Sequence, residues 1–493
     1  MDDALHPFRP QGALPAAPLA AYRGPWNARL AAHLLRRAGF GGAPAEIARF
    51  AQGSMHDAVT SLVLFPSAAN LPSGPDDLPS DGELAARILA VRAGEEPGAA
   101  PDANAVAMRE QLRALVRRAI ISLQLWWIDR MIATPAPLQE KMTLFWHGHF
   151  TTAAVQKGVS PAATLAQNAL FRSFALGNVR ELTQRVAVDP AMLRYLDNIH
   201  NEAAHPNENF ARELIELYTL GIGNYTESDV REAARAWTGL RIRRATGEVY
   251  LNERLHDAGS KTFLGRTGNF GGSEIIDIIF QQPAAARYFA TKLLTFFVYA
   301  DPEPELVDAV AGLLRTHDFA LAPVMTALLS SNVFYSARAY RALVKSPVEF
   351  VVGSYRLFGV PAAQPEALGA LRRMTQVLFY PPNVKGWPGG SAWLNTSTVL
   401  ARENFANALM TANVVNDSSW LLAAGPGNVE RAAAAIVDAI VQNDVSTAAR
   451  SRLEAYLAGT DSAALGALSA ENFDQRMRGG AYLTMAMPAY QLA

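Results

Sequence analysis

The sixteen-residue run from Pro206 to Gly221 limits what this chain can become more than any other stretch. It opens on Asn207, whose side chain can cap free backbone N–H groups, and closes on Gly221, suited to the left-handed residue after a last turn. Between them Phe210, Leu214, Leu217 and Leu220 follow i, i+4, i+7 spacing, so one stripe of a helix is buried. Glu208, Asn209, Arg212, Glu213 and Glu216 crowd the first turns around that stripe. So much acid, amide and guanidinium exceeds what solubility requires.

The same punctuation recurs elsewhere. A helix begins near Trp26 and carries Leu30, His33, Leu34 and Ala38 to a stop at Gly39. The longest is expected from about Ala105 to Ile132, with Leu112, Leu115, Val116, Ala119, Leu123, Trp126 and Trp127 at helical spacing. Thr226-Glu-Ser-Asp229 reads as a capping box for a helix that ends at Gly239, and Pro283 as a first-turn proline. Only Leu240 to Leu251 alternates like a short hairpin. Residues 1–25 read as an irregular arm, and breaks fall near 71–82 and 95–104. The expected fold is mainly α: a single large helical domain over 26–493 with a small β-hairpin element and long loops.

Composition narrows the chemistry. Half of the 493 residues are hydrophobic and 18% are charged, enough for a sizeable core. A formal net charge of −1 gives no whole-molecule field for nucleic acid. With no cysteine, disulfides, thiolate metal sites, cysteine nucleophiles and iron–sulfur clusters are excluded. The acidic opening Met1-Asp2-Asp3 is unlike a signal peptide, and no stretch approaches the roughly 20 apolar residues of a membrane helix, so the chain reads as soluble with no membrane partner. No dinucleotide fingerprint, phosphate-binding loop, nucleophile elbow or His-Glu-x-x-His motif is present.

Five of the nine histidines lie between Trp146 and Asp257. In Trp146-His-Gly-His-Phe150 the two histidines would diverge by roughly 200° on a continuing helix. They converge only if Gly148 ends it. In that case they suit zinc, iron or manganese together with a carboxylate. The alternative is that one caps a helix C-terminus and the other packs. His256-Asp257, followed by Lys261, offers a base or ligand and an anion anchor, and Asp197-Asn198 further oxygens. Glu208, Arg212 and Glu216 also read as a ladder of i, i+4 ion pairs. Lys345 and Lys385 stand beside loops. The loop from Tyr380 to Trp393 reads as pinned by Trp387 and Trp393, or else as an aromatic platform for a sugar ring.

Taken together these segments resemble a bacterial family known as "domain of unknown function eighteen-hundred". The resemblance rests on His33-Leu-Leu-Arg-Arg-Ala-Gly-Phe-Gly41, Phe145-Trp-His-Gly-His-Phe150, Tyr195-Leu-Asp-Asn198, Asn207-Glu-Asn-Phe-Ala-Arg-Glu213 and Tyr218-Thr-Leu-Gly221. It continues through Ala236-Trp-Thr-Gly239, His256-Asp257 with Lys261, Lys345-Ser-Pro347, Pro381-Pro-Asn-Val-Lys-Gly-Trp-Pro-Gly-Gly390 and Met487-Pro-Ala-Tyr-Gln491. It implies one α-rich unit, motif residues gathered in space, frequent export, and a sulfatase-like protein encoded nearby as a possible partner. It supplies no activity. The family pattern carries a larger residue, often Asn, where this chain has Gly148.

The leading expectation is therefore an enzyme that handles a phosphate- or sulfate-type ester with a divalent metal. His147, His149 and His256 are the candidate ligands. Glu208, Asn209, Arg212, Glu213, Asp257 and Lys261 are the candidate catalytic groups, with Arg212 and Lys261 neutralising the anion. The rival expectation is a non-catalytic helical scaffold or partner-binding protein with a buried structural polar network.

Overall fold

Capping residues set the helix starts. Asn27 accepts from Leu30 N–H and opens Ala28–Arg37. Thr226 and Asp229 form a reciprocal capping box at the head of Glu227–Ala236. Pro137, Pro283 and Pro347 occupy first-turn positions of Pro137–His149, Pro283–Phe297 and Pro347–Leu357. The longest helix runs over Ala103–Ala133.

This computed structural model describes residues 13–65, 73–93, 103–412, 419–423, 425, 428–459 and 469–493. Residues 1–12 of the expected arm, 71–72 of the first break and 95–102 of the second lie outside them. Residues 13–25 hold no helix. Helices begin at Asp81 and Ala103, one or two residues inside the expected breaks. Among the described residues there are 23 α-helices and two antiparallel two-stranded sheets, so the fold is mainly α. None of these helices is long and apolar enough to cross a membrane.

The expected hairpin pairs β1 (Leu240–Ile242) with β2 (Val249–Leu251), with Arg241 opposite Tyr250. A second hairpin, not expected from the sequence, pairs β3 (Lys261–Phe263) with β4 (Arg266–Gly268). Its strands are three residues long, too short for alternation to register.

The 206–221 run departs from a plain helix. Glu208–Glu213 is α-helical, but Leu214–Thr219 widens to a π-helix. The wider turn rotates the buried face: Ile215, Tyr218 and Thr219 become buried, while Leu217, expected in the stripe, is only half-buried. Gly221 does take the left-handed conformation, with φ of 79°.

Two large hydrophobic clusters make up most of the interior, with a small third one at Ala31, Leu35 and Ile47. One gathers Leu34, Met142, Trp146, Phe150, Tyr218, Phe289 and Phe297. The other gathers Leu123, Trp127, Leu144, Val351, Phe379 and Phe405. Helix Pro137–His149 feeds both, Met142 and Trp146 into the first and Leu144 into the second.

Candidate functional site

Placement between two cores decides the fate of the paired histidines. Gly148 does not end the helix, which continues through His149 with Phe150 as its cap. The two rings therefore diverge, and the convergence that a shared metal requires is absent. His147 turns into the second core. Its ring centroid lies 5.5 Å from Trp127, 5.4 Å from Phe379 and 5.4 Å from Trp387, and its Nε2 is buried without a hydrogen-bond partner. Burial holds this imidazole down at about 3, so it is neutral at ordinary pH.

His149 turns into the first core, where its Nε2 donates to the Tyr218 carbonyl at 3.0 Å. Burial, with Lys292 adding to it, holds His149 at about 3 as well. Tyr218 lies in the last turn of the π-helix, where carbonyls lack intrahelical partners. Neighbouring carbonyls are closed in the same way: Tyr288 donates to Leu217, and Asn224 donates to Leu220 at 3.0 Å. The Tyr218 hydroxyl donates to the Thr151 carbonyl at 3.3 Å. The Trp-His-Gly-His segment and the charged helix thus touch through a helix-end cap.

Most of the charged helix is committed to structure. Asn207 accepts from Asn209 N–H at 3.0 Å, and the Asn209 side chain donates to the Leu196 carbonyl at 3.0 Å. Arg212 reaches Glu208 at 2.9 Å and grips both oxygens of Glu227 at 2.9 and 2.8 Å. Its expected second partner on the helix, Glu216, instead accepts from the Tyr225 hydroxyl.

The third segment is a clasp. Asp257 receives Arg235 at 2.7 and 3.2 Å, and those bonds hold its carboxyl below the usual range. Buried Lys261 donates to the carbonyls of Asp257 and Gly259 at 2.7 and 3.0 Å. His256 Nδ1 donates to the Thr238 carbonyl at 2.9 Å. The clasp meets the charged helix through Asn201, a residue the sequence reading passed over. Asn201 donates to Asn198 and Ala234, and accepts from Asn207 N–H at 2.8 Å and Gly239 N–H at 3.0 Å.

Among the described residues no group of three or more His, Asp or Glu is placed to hold a metal ion. The donor chemistry explains why. His147 faces the indole and phenyl rings of the second core while His149 points into the first beside Phe289, so the two imidazoles present no nitrogen to a common point. These residues do not fit a shared metal.

Glu213 is the exception to this commitment. It is half-buried and has no hydrogen-bond partner among the described residues. Burial, and then the Glu216 carboxylate, push its carboxyl above the ordinary range, against the pull of Lys385 and Arg212. Tyr195 feels the same carboxylate, and Lys157 Nζ stands 5.8 Å over the Tyr195 ring. Lys385 is exposed on a loop locked to the helix that carries His147. At Gly386, with φ of 82°, an added Cβ would lie 2.2 Å from the Gly148 carbonyl oxygen. Trp393 is buried and Trp387 half-buried against His147, so the loop is pinned and offers no sugar platform.

A second polar cluster joins the outer motifs. Lys141, buried, pairs with Glu349 and donates to the Gly39 carbonyl at 3.0 Å. Arg37 donates to the carbonyls of Val298 and Ala339. Lys345 stacks 3.6 Å over the Tyr490 ring, and its pKa falls through burial and the nearby Arg36, Arg341 and Arg402.

Fold and site together define a helical protein whose motif residues close helix ends and loops around one half-buried carboxyl. The chain belongs to the family described as Protein of unknown function (DUF1800), which matches residues 33–492. No curated protein and no solved structure matches it.

Proposed function

We propose that the protein acts on an anionic ester or related group by acid–base chemistry centred on Glu213, without the shared histidine metal site expected from the sequence. The observation that carries this reading is the state of Glu213: half-buried, without a hydrogen bond among the described residues, its carboxyl raised, and within electrostatic reach of exposed Lys385. A raised carboxyl can hold a proton for a leaving oxygen, and a nearby ammonium can meet the anionic group. Glu208, Asn209, Arg212, Asp257 and Lys261 then serve to position that helix and its neighbours.

A panel of p-nitrophenyl phosphate and sulfate esters tests the reading with Glu213→Gln and Lys385→Met. Loss of turnover in both variants, at unchanged melting temperature, is the expected result. An acid form that does the work also makes activity fall as pH rises through the Glu213 carboxyl. Turnover unaffected by E213Q would remove this reading.

The second reading, a structural scaffold, is favoured by the double carboxylate grip on Arg212 and by the Arg235–Asp257 pair. Under it, E213Q leaves every partner interaction intact, while Arg235→Ala lowers the melting temperature and partner binding together.

A further inference from the structure

A groove of about 640 Å³ lies between helices Asp81–Ala93 and Ala103–Ala133 and the segment 155–161. That volume is typical of a small-molecule site. Its floor is apolar, made by Leu84, Ile88, Leu89, Leu112, Val116 and Val159. Ile88 and Leu89 are 40% and 55% exposed, large apolar surfaces left open to water side by side.

The rim is cationic. Arg92, Arg113, Arg117, Arg194 and Arg244 line the groove, against the single carboxylate of Asp81. Arg113 pairs with Glu110. The other four have no carboxylate partner among the described residues, and the buried Nε of Arg194 has no hydrogen-bond partner. Solvated surface arginines are ordinarily interspersed with carboxylates. Four guanidiniums with no carboxylate partner among the described residues, set around one apolar floor, give a site with a defined complement: an apolar body and an anionic head. Guanidinium suits carboxylate, phosphate and sulfate heads alike through paired N–H donors.

From this juxtaposition we infer that the groove binds a small amphipathic anion, an alkyl or aryl chain ending in a carboxylate or an acidic ester. The inference goes beyond the proposed chemistry, because binding here needs neither Glu213 nor Lys385. The two places are nonetheless neighbours along the chain. Arg194 precedes Tyr195, which feels Glu213, and Tyr380 lines the groove five residues before Lys385.

The test is isothermal titration of the full chain with dodecanoate, dodecyltrimethylammonium and inorganic phosphate, each as a monomer in solution. Dodecanoate is expected to bind, the cationic analogue not to bind, and phosphate alone to bind at least about tenfold more weakly. Arg117→Glu with Arg244→Glu, both exposed positions, weakens dodecanoate at least about tenfold, and Leu89→Asp weakens it comparably, without loss of melting temperature. E213Q leaves the affinity unchanged, so failure of the catalytic reading and failure of this one are separable. Equal binding of both detergents, or affinity indifferent to these substitutions, overturns the inference. So does a chain that binds dodecanoate only after Glu95→Gln, Glu96→Gln and Asp102→Asn, which would make its own acidic segment the occupant.

Discussion

Replacing His147 by phenylalanine separates a packing histidine from a working one, and its magnitude follows from linkage. The folded imidazole is held at about 3, against 6.5 for an unburied one. Because the folded value is depressed, the stabilising contribution is complete above 6.5. It is lost as pH falls from 6.5 toward 3, where the unfolded chain takes up a proton that the native state refuses. At pH 5 the unfolded histidine is almost fully protonated, which costs about 2 kcal/mol relative to pH 7.5. Phenylalanine cannot titrate, so H147F removes this share of the acid sensitivity. The larger ring adds a packing cost of about 1–3 kcal/mol that is the same at both pH values and cancels in the comparison. His149 and His33 carry the same sign, and Asp189, its carboxyl raised to about 7 by burial, carries the opposite sign. All three remain in the variant. Urea denaturation of both proteins at pH 7.5 and 5.0 gives four free energies. The stability lost on acidification should be about 2 kcal/mol smaller in H147F. Equal losses in the two proteins would mean that His147 is hydrated or charged in the folded state, and the sealed aromatic setting would be refuted.

Gly386→Ala forces a side chain into a left-handed position and onto the Gly148 carbonyl, so thermal melting should show a loss above about 2 kcal/mol. Lys141→Met strands part-buried Glu349 without its cation and should cost about 3 kcal/mol in chemical denaturation, a loss that the double change with Glu349→Gln partly restores.

Local signals in the chain foretold several helix starts, because caps act over three or four residues. Thr226 with Asp229, and Pro283, each open a helix as their chemistry dictates. The π-turn was invisible, since Leu214–Thr219 has ordinary helix formers and the extra residue per turn is settled by what it packs on. Gly148 misled for a related reason. Glycine is a poor helix residue, yet here Gly386 packs closely on the Gly148 carbonyl and the helix carries on beneath it. The partners of the candidate site residues were the least legible part. Arg212 finds Glu227 fifteen positions away, and Asp257 finds Arg235 twenty-two positions away, distances at which residue type carries no direction.

The widened turn at Leu214–Thr219 has a bearing on which changes of length the chain tolerates. Inserting one residue there would exceed what the widened turn already absorbs and swing everything after it by about 100° around the axis. Tyr218 would leave His149 and Thr151, and Leu217 would leave Tyr288. A deletion would only tighten the turn and leave the following chain nearly in place, whereas an insertion would put three separate fastenings out of phase at once.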